Sequence, residues 1–261
     1  MKKMNTTIAM LIGISPLLLA ETNALIEVKV FKDWVIRGEY TQGGFVFKNT
    51  GTHPLSLAKK ATDFDLYQLM QYKSEDTKAN EGSFRVIEQR GGFYFLPPGE
   101  THIYEGRNFY LDNEHLFSVG NVRFTIPIYF GNGVWIDTEP VVLNGVVPDS
   151  EEHITTLTDF NGSRDFVTVT YKNERWLYAK YSRSCFPVCP ISQGKIRVEP
   201  YDGKRLYKIW DGDKSMIYQD GTGLILEGSD EHNVLGKWTR ERKQKAEADN
   251  AEVRRKKAEA R

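Results

Sequence analysis

The sequence predicts an all-β protein: an antiparallel sandwich, then a small antiparallel meander, then a charged C-terminal helix. Three observations carry that expectation. Between Leu25 and Val147, about eight short strand-like segments recur at regular spacing with turn residues between them. Between Lys195 and Glu227, four more are separated by three Asp-Gly pairs. From Lys237 to Arg261, strong helix formers dominate, and apolar residues beyond alanine are reduced to Trp238 and Val253.

The chain opens with Lys2 and Lys3, an apolar run from Ile8 to Ala20, and the more polar Glu21-Thr22-Asn23-Ala24. That run is too short for a helix crossing a hydrocarbon core of about 30 Å, but it suits the hydrophobic region of a secretory signal. Small residues at Thr22 and Ala24 place the expected mature start near Leu25, with a cut after Ala20 as second choice. The expected product is extracytoplasmic, periplasmic or secreted. No cysteine follows either cut and no later run is long and apolar enough to cross a membrane, so neither a lipid anchor nor a transmembrane span is expected.

The formal charge is zero, but it is unevenly spread. Residues 237–261 hold ten Lys and Arg against five Asp and Glu, while residues 25–236 hold 23 basic and 29 acidic residues. A mildly acidic body argues against nucleic acid as the main partner, because neutralising phosphates needs clustered cations.

In the first unit, residues 25–147, Ile26-Glu27-Val28-Lys29-Val30 alternates as a half-buried strand does. Gly43-Gly44 precedes Phe45-Val46-Phe47, Asn49-Thr50-Gly51 reads as a turn, and extended sequence resumes at Pro54–Leu57 and Phe64–Tyr67. Lys73 to Gly82 reads as a long polar loop. Phe93–Leu96 ends in Pro97-Pro98-Gly99-Glu100, where Pro98 and Gly99 fit the middle of a type II turn. Asn108–Leu111, Val122–Phe130, Val134–Ile136 and Val141–Val147 complete the strands.

Phe45-Val46-Phe47-Lys48-Asn49-Thr50-Gly51 with Pro54-Leu55, Leu96-Pro97-Pro98-Gly99-Glu100, and the late apolar strand Val122–Phe130 resemble immunoglobulin-like accessory domains of secreted bacterial proteins. Their order also looks like that of small sandwich-type proteinase inhibitors. The resemblance spans about half the chain and implies a fold and a habit of binding; a shared sandwich does not transmit a function. Pro127 departs from the pattern. It cannot donate to a ladder, so this strand is expected at an edge or with a bulge.

Residues 148–153 read as a linker and residues 154–236 as a second unit. Phe166–Tyr171 and Trp176–Tyr181 form a hairpin around Lys172-Asn173. Lys195–Glu199, Arg205–Trp210, Ser215–Gln219 and Leu224–Glu227 meander through the Asp-Gly turns at Asp202, Asp211 and Asp220. The tail from Lys237 reads as a solvated helix with pairs such as Glu252–Lys256, or as a cationic arm for an anionic surface.

Candidate chemistry is sparse. Cys185 and Cys189 are the only cysteines, and in an oxidising compartment they are expected to form a disulfide holding one turn. His102, His115 and His232 have acidic neighbours, but no spacing matches a zinc helix and no serine sits in a nucleophile elbow. They read as surface or turn histidines. Asp211-Gly212-Asp213 lacks the ligand pattern of a calcium loop, so no metal and no cofactor is expected. Trp176, Tyr178 and Trp210 form a candidate aromatic binding surface, the same rings also suiting the core of a small sheet. The expected function is non-catalytic binding of a protein or polysaccharide of the cell envelope. The alternatives are an extracytoplasmic carbohydrate hydrolase built on two carboxylates, and a proteinase inhibitor presenting the Lys73–Gly82 loop.

Overall fold

The structure is a computed structural model that describes residues 23–58, 71–74, 82–83, 93–104, 108–109, 119–131, 134–159, 162–182, 184–192, 194–202, 205–220 and 224–260. The expected signal segment, the strand at Phe64–Tyr67, His115 and most of the Lys73–Gly82 loop lie outside those residues.

Among the described residues, the first unit contains β1 (Ala24–Val30), β2 (Trp34–Val35), β3 (Thr41–Asn49), β4 (Leu55–Ala58), β5 (Gln71–Ser74), β6 (Gly82–Ser83), β7 (Phe93–Leu96), β8 (Thr101–Tyr104), β9 (Asn108–Phe109), β10 (Gly120–Thr125), β11 (Pro127–Gly131), β12 (Val134–Asp137) and β13 (Val141–Gly145). One sheet runs β1-β3-β8, with β9 on the far end of β3; another runs β2-β13-β10-β5-β6; β11-β12 and β4-β7 are separate pairs. Ile26, Phe45 and Phe47 from the first sheet meet Val141 and Leu143 from the second, with Ile126, Ile128 and Ile136, in one buried cluster. Removing such side chains from water, at about 25 cal/mol per Å², drives the sheets together.

Local chemistry explains the boundaries. Gly99 has φ +78° and Glu100 N–H donates to the Pro97 carbonyl, as the proline-glycine turn requires. Asn49, fully buried, accepts from Gly51 N–H through Oδ1 and donates Nδ2 to the Leu96 and His53 carbonyls, tying β3 to β7. The expected continuous strand at Val122–Phe130 is broken. Ile126 is unpaired in the ladder, Pro127 opens β11, and the chain passes from the β13 partner to the β12 partner, because proline suits the first position of a strand.

The second unit differs from the expected single meander. β14 (Ser150–Asp159), β15 (Gly162–Tyr171), β16 (Glu174–Lys180) and β17 (Cys185–Pro190) form one sheet, and β18 (Ile196–Tyr201), β19 (Leu206–Asp211), β20 (Lys214–Gln219) and β21 (Leu224–Glu227) another, each in sequential order. Phe166, Leu177, Ala179 and Cys189 of one face Val198, Tyr207, Ile209 and Tyr218 of the other in a shared core. Lys172 and Asn173 both have positive φ, as a two-residue hairpin needs, and Asp202 does the same at the β18–β19 turn. The expected linker is largely strand: Ser150 to His153 pair with β15, extending β14 back to the first unit.

The two units are fused. β2 lies parallel to β13, and alternation sends Val35 into the first core while Trp34 and Ile36 point into a cluster with Val167, Val169, Trp176, Tyr178 and Cys185. The β14–β17 sheet is therefore covered on both faces, which explains the unbroken burial of Phe166–Val169 and Trp176–Ala179.

α1 (Val234–Glu259) is not a solvated tail. Asn233 caps it by accepting from Gly236 N–H. Trp238 sits edge-on to Phe31 and over Gly44, where an added Cβ would lie 2.3 Å from the indole. That close approach, inside β3, accounts for the glycine at position 44. Further along, Asn250 exchanges two hydrogen bonds with the Thr101 backbone, and Arg254 makes a two-pronged pair with Glu100 at 2.9 and 2.7 Å. Val253 lies against Gly99 and Lys257 donates to the Pro98 carbonyl. α1 thus lies across the outer face of the β1-β3-β8 sheet. It is long but charged; no described helix is long and apolar enough to cross a membrane.

Candidate functional site

A half-open groove lies between α1 and the outer face of the β1-β3-β8 sheet, enclosing about 180 Å³. Strand register builds its floor: Leu25, Lys48 and Thr101 stand in one cross-strand row, and Glu27, Val46 and Ile103 in the next. Arg242, Lys245, Ala246 and Asp249 supply the helical wall. Leu25 is half-exposed, and Arg242 is held by Glu27 at 3.5 Å. The result is a mixed floor, apolar at Leu25, Val46 and Ile103, with Lys48 and Glu27 on it and Lys245 and Asp249 on the helical wall. It can accept an apolar segment bearing acidic groups.

The aromatic residues nominated from sequence do not form a surface. Trp176 and Tyr178 share a face, as alternation requires, but that face is sealed against Trp34 of the first unit. Trp210 lies in the other sheet, stacked under the Arg197 guanidinium at 3.9 Å. A sheet covered on both sides has no aromatic ladder to offer.

The expected disulfide is likewise replaced by two free, buried thiols. Four residues apart on a regular strand, Cys185 and Cys189 would share a face. A bulge at Val188 shifts the register, pairing Tyr178 with Pro187 but Leu177 with Cys189. Cys185 therefore enters the cluster between the units and Cys189 the core of the second unit, where its thiol meets the Met216 sulfur at 3.5 Å. Burial pushes both thiols well above the usual range, which disfavours the reactive thiolate.

Two of the Asp-Gly turns do more than turn. Asp220 is buried and accepts from Arg164 Nε at 2.9 Å and from the Tyr181 hydroxyl, with Arg164 stacked on the Tyr181 ring at 4.5 Å. Burial and these bonds drive the Tyr181 hydroxyl above its usual range. Asp211 accepts from Ser192 N–H at 2.7 Å and Ser192 Oγ at 2.6 Å, and its other contact is His232 Nε2 at 3.0 Å. Burial pushes the Asp211 carboxyl up, but the bonds from Ser192 and His232 outweigh it and hold the group below the carboxylate range. Of the two positions expected for His232, surface or turn, it occupies the turn and is buried there; its neighbour Glu231 pairs with Lys214.

His232 Nδ1 lies 2.8 Å from Ser229 Oγ, completing a Ser229–His232–Asp211 chain. The order serine, imidazole, carboxylate is that of an activated nucleophile. Its context is that of a turn: Ser229 and His232 lie in the same loop before α1, and the Ser229 carbonyl accepts from the His232 and Asn233 amides. Among the described residues, no cluster of His, Cys, Asp and Glu could hold a metal ion.

A buried lysine at the junction of the units was not visible in the sequence. Lys32 is buried at the junction of the units, with Nζ 2.7 and 2.8 Å from the two oxygens of buried Glu39, 2.6 Å from the Trp34 carbonyl, and 3.7 Å from the Trp34 ring centroid. Glu39 also accepts from Tyr178 OH and Ile36 N–H, both at 2.9 Å. The available cue was the dense apolar sequence of β15 and β16, interrupted there by Thr168, which marks a sheet covered on both faces.

No family model and no curated protein matches this chain. Among solved structures it is similar to Spo0M, a sporulation control protein from Bacillus subtilis, at 13% identity and a TM-score of 0.30, over 60% of this chain and 79% of that one. Likeness at that level carries no argument about fold or function.

Proposed function

We propose that the protein is an exported, non-catalytic binding protein of the cell envelope, its first unit an immunoglobulin-like sandwich. Its partner is a protein or polysaccharide that presents acidic groups to the groove between α1 and the first sheet. The observation that carries this is the groove itself: Leu25, Val46 and Ile103 on its floor, with Lys48 beside them and Lys245 on the helical wall. The apolar run at Ile8–Ala20 supports export. Such a site gains affinity from burial on the floor and orientation from charge at the rim.

The test is co-sedimentation of the full chain with isolated envelopes, comparing the native protein with Lys48→Glu and Lys245→Glu combined. Saturable binding that falls at least tenfold in the double variant is expected. Equal binding by both would remove the groove from the account, and no binding by the native protein would remove the binding function.

A second reading has one observation behind it, the Ser229–His232–Asp211 chain. A fluorophosphonate probe that labels the native protein but not Ser229→Ala would establish a serine hydrolase. The binding reading expects no label, because Ser229 sits in a turn with its partners buried away from any described groove.

A further inference from the structure

We propose that the leader is cut between Ala20 and Glu21, so that Glu21-Thr22-Asn23-Ala24 stays with the mature protein. The proposal rests on the export reading and assigns the processing site that export would use. Residue types around the two candidate cuts favour Ala24, because Thr22 and Ala24 are both small whereas Leu18 stands at the matching place before Ala20. The fold favours the other cut, because Asn23 and Ala24 are working parts of the first unit. Ala24 opens β1 and is buried in that unit's core, at 3% exposure. It pairs across the ladder with Asn49, which is wholly buried. Asn49 in turn holds the β7–β8 connection: its N–H donates to the Glu100 carbonyl at 3.0 Å, its carbonyl accepts from Gly99 N–H at 2.8 Å, and its side chain reaches the Leu96 carbonyl. Asn23 closes the turn that follows β3. Its carbonyl accepts from Thr50 N–H at 3.0 Å, and its side chain lies so close to Gly51 that an added Cβ there would sit 2.9 Å from Asn23 Oδ1.

A cut after Ala24 would take a buried methyl out of the core, remove the carbonyl that meets Thr50, and uncover Gly51. It would also begin the chain at Leu25, on the floor of the groove, and set a new ammonium in the cross-strand row that holds Lys48. Like charges directly opposed across a ladder repel. A cut after Ala20 has none of these consequences, and Ala20 itself supplies the small residue that the peptidase requires before the cut. Leu18 slows a cleavage that has to happen once. Loss of Asn23 and Ala24 would persist for the life of the folded protein, and it is the stronger constraint. In the step itself, an export peptidase adds water across the Ala20–Glu21 peptide bond. The hydroxyl joins the Ala20 carbonyl carbon, which departs with the leader as a carboxylate. The proton goes to the Glu21 nitrogen, which becomes the mature α-ammonium.

The test is expression of the full chain in a bacterial host that exports proteins, followed by cell fractionation, intact-mass measurement and N-terminal sequencing. Extracytoplasmic protein beginning at Glu21 is expected. Ala20→Phe, which puts a bulky ring next to the cut, should lose that product. An exported chain that begins at Leu25, or at any residue other than Glu21, overturns the proposal and leaves the export reading standing. A Glu21 start that persists unchanged in Ala20→Phe also overturns it, since the cut would then not depend on the small residue. A chain kept inside the cell with its leader intact overturns the export reading, and the proposal with it.

Discussion

Asp220 and Arg164 show why individual residues here carry more than their sequence context suggests. The pair is almost fully buried and spans the two sheets of the second unit, with Tyr181 completing it. Removing one partner of a buried pair leaves the other charge without compensation, at a cost of about 3–5 kcal/mol. Asp220→Ala should lower the urea midpoint accordingly, with the loss read from equilibrium unfolding. At the cysteines, the physical decision is made by one inserted residue: the bulge at Val188 turns Cys189 away from Cys185. Ellman's reagent without reductant should find two thiols in the denatured protein and none in the native state. A preparation with no thiols when denatured would mean a bridge that this strand geometry does not allow.

At the scale of the element, α1 is held by a few specific contacts on an otherwise polar helix. Trp238 over Gly44, Asn250 on the Thr101 backbone and Arg254 on Glu100 fasten it at three levels along its length. The Arg254 guanidinium hydrogen-bonded to Glu100 holds that carboxyl below its usual range, the opposing effect of burial being smaller. A lowered folded pKa contributes stability above the unfolded value, near 4.3 for Glu, and that contribution is lost as pH falls through the folded value. Amide protection along the C-terminal half of α1 should therefore hold down to about pH 4–5 and decline below it, ahead of protection in β15 and β16. Hydrogen exchange at a series of pH values, corrected for intrinsic rates, measures this. Simultaneous loss in the helix and in those strands would mean that α1 does not detach locally. The helix itself was legible in its composition and its Glu252–Lys256 pair, which forms at 2.6 Å. Its docking was not, because the seat for Trp238 is the absence of a side chain at Gly44.

For the whole molecule, the decisive feature is that one short strand serves two cores. Val35 belongs to the first and Trp34 with Ile36 to the second unit's outer cluster, while Trp34 Nε1 donates to Glu174 at 2.7 Å. Two sandwiches joined this way should melt as one body. Trp34→Ala opens a cavity in the joint, with a cost on the order of 3–5 kcal/mol for a buried aromatic truncation. Calorimetry should then resolve two transitions where the native protein gives one. A single transition at a lower temperature would indicate that the units are coupled elsewhere, for example by the β14 extension.

By itself the sequence determined what is local. Alternation placed β1, the Lys172-Asn173 pair fixed the β15–β16 hairpin, Asp211-Gly212 set the β19–β20 turn, and Pro98-Gly99 turned the chain from β7, paired with β4, into β8, paired with β3. Each depends on backbone preferences of adjacent residues, which the chain carries wherever it folds. Tertiary structure decided everything that depends on which face meets which partner. It put Trp176 and Tyr178 inside and the two cysteines back to back. It gave Asp211 and Asp220 buried partners, caged Lys32 with Glu39, and laid a charged helix on a bare glycine. Those outcomes follow from contacts between segments as far as 215 positions apart, as between Glu27 and Arg242, and no short-range pattern encodes such a contact.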